Sequence, residues 1–138
     1  RNHIMIKNSL GLCLLALVLT ACTSAPLHNM TGVAVPEKAD GEGLTLNQVK
    51  AAVMRGCVGK GWTPRVEEPG LIHCSITVRT HSAEVAIPFT ASEYDIRYVD
   101  SVNLDADGQG HIHRNYNNWV SNLSGSIQQE LLRQAYDL

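Results

Sequence analysis

The chain has 138 residues, of which 44% are hydrophobic and 17% charged, with a formal net charge of -2. That length suits one domain and not comfortably two. The balance excludes a disordered polyelectrolyte and a low-complexity fibre, and the charge leaves no basic footprint for nucleic acid.

The apolar residues are concentrated near the N-terminus. From Met5 a short stretch carries one positive charge, Lys7, and residues 10–19 then read LGLCLLALVL, without a charge. A helix needs ~20 apolar residues to cross the hydrocarbon core, so this run is too short to be a comfortable span and fits the hydrophobic region of a secretory signal. Leu19-Thr20-Ala21-Cys22 follows at once. Small residues before a cysteine, directly after such a run, resemble the lipobox of bacterial lipoproteins. The resemblance implies that the Cys22 sulfur is diacylated, that the preceding segment is removed, and that the new amino group is acylated. Thr23 stands where inner-membrane lipoproteins of this kind often carry Asp, which implies the outer membrane, facing the periplasm. Residues 1–4 precede Met5 and are read as vector sequence or an alternative start, outside the fold.

Three parts are therefore expected: residues 1–21 as leading residues plus signal peptide, 22–43 as the lipidated cysteine and a flexible tether, and 44–138 as an α+β domain. Removing residues 1–21 takes away Arg1 and Lys7 and leaves a formal charge of -4. Pro26, Pro36 and three glycines break any period across 23–43, which is the pattern of a linker.

Within the domain, Leu46, Val49, Val53 and Cys57 recur at three- and four-residue spacing and predict a helix over 44–59. Thr45 and Gln48 stand in capping-box positions. Four strands are expected next: 62–67, 71–79, 83–89 and 94–98. The second is the cleanest, with Ile72, Cys74, Ile76 and Val78 on one face and His73, Ser75, Thr77 and Arg79 on the other. Pro88 argues for an edge position or a strand end. Ile112, Tyr116, Trp119, Val120, Leu123, Ile127 and Leu131 form the stripe of a last helix over 111–135. The expected architecture is a four-stranded antiparallel meander packed on one face by two helices, in the order α-β-β-β-β-α.

Candidate chemistry is sparse. Cys57 and Cys74 both face inward, and in an oxidising compartment they either bond or pack as thiols. Asn103, Asp105 and Asp107, with Gly108 sixth, resemble half an EF-hand loop, but position twelve is Arg114 instead of a bidentate Glu. His111 and His113 can share a face only in an extended stretch, with His73 and His81 as further candidates. These are weak metal candidates, and neither metal nor cofactor is expected. Asn115, Asn118 and Asn122 form an amide stripe which, with His113, is the candidate binding surface. Asp100, Ser101 and a histidine would make a triad by residue type alone, with no Gly-x-Ser-x-Gly elbow.

The pattern Tyr-x-Ile-x-Tyr from Tyr94, followed by Ile-His-x-x-Tyr-Asn-x-Trp at Ile112 to Trp119, is similar to small uncharacterised lipoproteins of Gram-negative bacteria. The expected function is a non-enzymatic binding or structural role in the cell envelope. The expected partners are the bilayer, through acylated Cys22, and an envelope protein or peptidoglycan. A ligand- or metal-binding module and a cell-wall hydrolase are the alternatives.

Overall fold

The computed structural model describes residues 22–138. The hydrophobic run and the lipobox positions before Cys22 lie outside the described residues. In chain order the elements are β1 (Ser24–Pro26), β2 (Met30–Ala34), α1 (Leu46–Gly59), β3 (Thr63–Glu68), β4 (Leu71–Val78), β5 (His81–Pro88), β6 (Glu93–Val102), β7 (His111–His113) and α2 (Arg114–Tyr136).

Local chemistry accounts for the boundaries. The Thr45 hydroxyl accepts from the Gln48 amide at 3.1 Å and the Gln48 side chain accepts from the Thr45 amide at 2.9 Å. Two of the four orphan amide donors at the start of α1 are satisfied this way. Gly70, at φ +80°, takes the turn between β3 and β4, where an L side chain would be strained. Pro88 closes β5, the central strand of its sheet, so its missing amide falls at a strand end.

The expected four-stranded meander is overturned. Five antiparallel strands form one sheet in the order β2-β6-β5-β4-β3, and β1 and β7 form a second, two-stranded sheet. Both additional pairings draw on the segment expected to be a tether. The physical reason is side-chain-to-backbone bonding that ties this segment to distant residues. Asn29 Oδ1 accepts from the Tyr98 amide at 2.9 Å, and Asp95 Oδ1 accepts from the Gly32 amide at 2.8 Å. Gln128 Nε2 donates to the Ala34 carbonyl at 3.2 Å. Asn117, on α2, accepts from the His28 amide at 3.2 Å and donates to the Pro26 carbonyl at 2.8 Å. These bonds satisfy backbone groups that a flexible linker would leave to water.

The Asp95 bond has a pH signature. The Gly32 amide first, and the Arg97 guanidinium after it, hold the Asp95 carboxyl below its ordinary 3.8. A depressed carboxylate contributes stability above its unfolded pKa and loses it as pH falls through the folded value. The tie of β2 to β6 is therefore expected to hold at neutral pH and to weaken only below 3.8. In an NMR titration the Gly32 amide resonance should inflect below that value; an inflection at or above it would contradict the bond.

The two helices pack on each other and cover one face of the large sheet. Ile72, Cys74, Val85, Ile87, Tyr94 and Ile96 from the strands meet Val49, Val53, Leu123, Ile127 and Leu131 from the helices in one buried core. Gly56 is buried where α1 crosses α2, and a Cβ built there would lie 2.6 Å from Ile127 Cγ1 and 2.7 Å from Ile127 Cα. Cys57 of α1 is disulfide-bonded to Cys74 of β4, with Cα atoms 6.6 Å apart, so the bond fastens helix to sheet. Tyr94 donates or accepts with Ser124 at 2.8 Å across the same layer boundary. Tyr98 and Tyr116 meet edge-on, with ring centroids 5.5 Å apart. The Tyr116 hydroxyl is buried with no hydrogen-bond partner among the described residues. That burial, with the neighbouring Tyr98 a smaller cause, pushes its pKa well up and keeps it neutral.

Candidate functional site

Because both helices sit on one side, the other face of the five-stranded sheet is left open by the described residues. Cross-strand register determines what it presents. One row aligns Ser75, Glu84 and Asp100, and the next aligns Thr77, Ser82 and Val102. A depression of 310 Å³ lies over these rows, with Arg65 among its lining residues. Among the described residues, the hydroxyls of Ser75, Thr77 and Ser82 make no side-chain hydrogen bond.

The charges in this depression are unevenly satisfied. Arg65 pairs with Glu67 and, at 3.3 Å, with Glu84. The Glu67 hydrogen bond is the larger cause holding the guanidinium in its charged form. His73 Nδ1 lies 3.3 Å from Glu84 and 3.9 Å from Glu67. Asp100 faces Glu84 directly across the ladder, a like-charge arrangement that costs stability. Its Oδ1 accepts from the Ser101 amide at 2.8 Å, and no cation reaches it among the described residues. The site therefore offers free hydroxyls and an unneutralised carboxylate, suited to a polar ligand bearing donors.

A second, smaller cleft of 80 Å³ lies between the β4–β5 turn and α2, lined by His81, Asn103, Leu104, His113, Asn115 and Trp119. Its polar groups are partly used. His81 Nδ1 pairs with the Asn103 carbonyl at 2.7 Å, and Asn103 Nδ2 donates to the Thr80 carbonyl at 2.8 Å.

The candidates from sequence are placed as follows. Asn115, Asn118 and Asn122 are exposed on α2 without side-chain bonds among the described residues. Asn117, between them, is the amide that holds the N-terminal segment. His113 is the N-cap of α2, its Nδ1 accepting from the Asn115 amide at 3.1 Å. Asp107 Oδ1 accepts from the Gln109 and His111 amides at 2.7 and 3.0 Å, and its Oδ2 lies 3.2 Å from His111 Nδ1. Those two amides, the Gln109 one first, hold the Asp107 carboxyl below its ordinary value. Asn103 and Asp105 sit at left-handed φ of 55° and 54°, turning the loop. Of the half EF-hand's oxygens, those of Asp107 thus serve the loop itself. Among the described residues no three His, Cys, Asp or Glu side chains gather as a metal site.

The triad candidates are not brought together. Asp100 stands opposite Glu84 on the open face, whereas Ser101 stands opposite buried Ala83 on the helix-covered face. The Ser101 hydroxyl pairs with the Tyr98 hydroxyl at 2.8 Å, not with a histidine. Sequence alternation places Ser75 and Thr77 on the wet face. Their gathering with Ser82, Glu84 and Asp100 depends on strand register, which alternation does not specify.

The fold and the site together define a two-layer α+β protein with one open polar sheet face and a core disulfide. Comparison with known proteins finds no matching family model, no matching curated protein and no matching solved structure.

Proposed function

We propose that this chain is a lipid-anchored protein of the bacterial cell envelope, held at the outer membrane through Cys22, whose domain binds another envelope component without catalysing a reaction. The observation that carries the reading is how the cysteines are divided. Cys57 and Cys74 are bonded to each other inside the core, a state that persists where thiols are oxidised. Cys22 is free and exposed at the start of the described chain. A leftover exposed thiol after a secretory run and small residues is what acylation requires. No helix among the described residues is long and apolar enough to cross a membrane. Two or more acyl chains hold far better than one, at ~0.8 kcal/mol per buried CH₂.

The contact surface is the open sheet face, where the Ser75, Thr77 and Ser82 hydroxyls and the Asp100 carboxylate have unused capacity. An envelope protein or peptidoglycan, both rich in donors, suits it; nucleic acid does not. The test is in-cell photo-crosslinking at native expression. A crosslinker at Ser75 should give a defined adduct that Asp100→Lys abolishes, while one at Gly41 gives none. Absence of any adduct from Ser75, with the protein present in the membrane fraction, would contradict this surface as the binding face.

A further inference from the structure

We infer that the domain sits directly on phospholipid headgroups through the end formed by β1, β7 and the start of α2, with no spacer between lipid and fold. The inference rests on acylation of Cys22 and adds where the membrane lies relative to the domain.

The carrying observation is chain length. An extended residue spans at most ~3.6 Å, so Ser24 lies within about 7 Å of Cys22. Ser24 is already paired with His113 in the β1–β7 ladder. One residue earlier, the Thr23 carbonyl accepts from the Arg114 amide at 2.8 Å. No free chain separates an acylated Cys22 from the fold. A flexible tether of the expected length would instead give a root-mean-square reach of roughly 25 Å. The two acylated atoms of Cys22, its sulfur and its amino group, place its backbone at the headgroup level, and the paired strand must follow.

The chemistry of that end agrees. Helix N-termini favour acidic residues, because the macrodipole is positive there. The first turn of α2 has none, and exposed Arg114 occupies its first position. Asn115 and Asn118 add exposed amides on the following turn. The nearby Asp107 carboxylate is occupied by His111 and two loop amides. This end therefore presents the Arg114 guanidinium and exposed side-chain amides, hydrogen-bond donors that phosphate oxygens of headgroups accept, with exposed Asp105 of the β6–β7 loop as the opposing charge.

α2 supplies a ruler. At 1.5 Å per residue, Tyr136 lies about 32 Å along the axis from Asn115. The experiment places a fluorophore on Asn115→Cys or Tyr136→Cys in the full acylated protein, where Cys22 is blocked by lipid and Cys57–Cys74 by their bond. The protein is reconstituted in phosphatidylglycerol-containing vesicles with nitroxide-labelled headgroups, after intact mass has read the acylation state. Quenching should be several-fold stronger at 115 than at 136, and Arg114→Glu should reduce it at 115. Equal quenching at both positions on acylated protein would overturn the docked end and leave the anchor standing. An unacylated Cys22 would overturn both.

Discussion

Gly56→Ala is expected to destabilise the domain by about 3 kcal/mol, near the top of the usual range for overpacking. The added Cβ would lie 2.6 Å from Ile127 Cγ1, 2.7 Å from Ile127 Cα and 2.8 Å from Ile127 N. Rotating the Ile127 side chain relieves only the first of these contacts. The other two are backbone, so α2 itself must move, and with it the Tyr94–Ser124 bond and the buried Leu123 and Leu131. Alanine's better helix propensity returns only ~1 kcal/mol. Gly59→Ala is the control, because its Cβ would meet only the Ser126 Oγ, at 3.0 Å, and a hydroxyl can turn away. Thermal melts should show a large loss for the first and little change for the second. Equal, small effects would mean that the helices do not cross at Gly56.

Removing the disulfide is the second large effect. Cys57 and Cys74 are 17 residues apart, and opening a loop of that size releases chain entropy worth roughly 3 kcal/mol in the unfolded state. The doubly substituted Cys57→Ala, Cys74→Ala protein should melt roughly 10–15 °C lower. Native protein should resist dithiothreitol, because both sulfurs belong to residues with 0% exposure and reduction must wait for opening. Rapid reduction without prior unfolding would contradict the buried placement. In cells, the double variant should be depleted through turnover, since losses of this size raise the unfolded-to-folded ratio by about two orders of magnitude.

Much of the layout follows from periodicity, and what does not follow has identifiable physical causes. The capping box at Thr45 and Gln48 and the apolar stripe of α1 are local features, visible at three- and four-residue spacing. The alternation of 71–79 and 83–89 shows which side chains go inward at Ile72, Cys74, Ala83, Val85, Ile87 and Phe89, but fails at the end of β4, where Ile76 is half-buried and Val78 exposed. β2 is different. Its sequence, MTGVA, has a glycine at its centre and no clean alternation, and its register shifts between Met30 and Val33. It becomes a strand because Asp95 and Gln128 bond its backbone from 63 and 94 residues away, while Asn29, just before it, accepts from the Tyr98 amide of β6. β7 hides for a related reason. Its three residues precede α2 without a break, so His111 and Ile112 read as helix until β1 pairs with them.

The site was less legible than the fold. The amide stripe of α2 is exposed as its spacing implies, yet Asn117, off that stripe, is the amide with a structural task. His113 looks like a ligand by residue type and is a helix cap by geometry. Asp107 looks like half a calcium site and closes its own loop. Each of these side chains bonds to backbone, His113 and Asp107 within their own loop or helix start and Asn117 to residues 89 and 91 positions away, a competing use that residue spacing does not reveal. The open sheet face shows the converse. Ser75, Ser82 and Asp100 carry no motif, and only three-strand register assembles them.

The claim on which the function depends is the acylation of Cys22, and the mass of the protein recovered from membranes tests it most directly. Expressed in a Gram-negative host with residues 1–21 in place, the detergent-extracted protein should begin at Cys22 and carry the added mass of a glyceryl group and its acyl chains. Cys22→Ser should abolish that mass and release the domain from the membrane fraction. Recovery of a chain with an unmodified Cys22, or one beginning elsewhere and partitioning into the soluble fraction, would contradict the account.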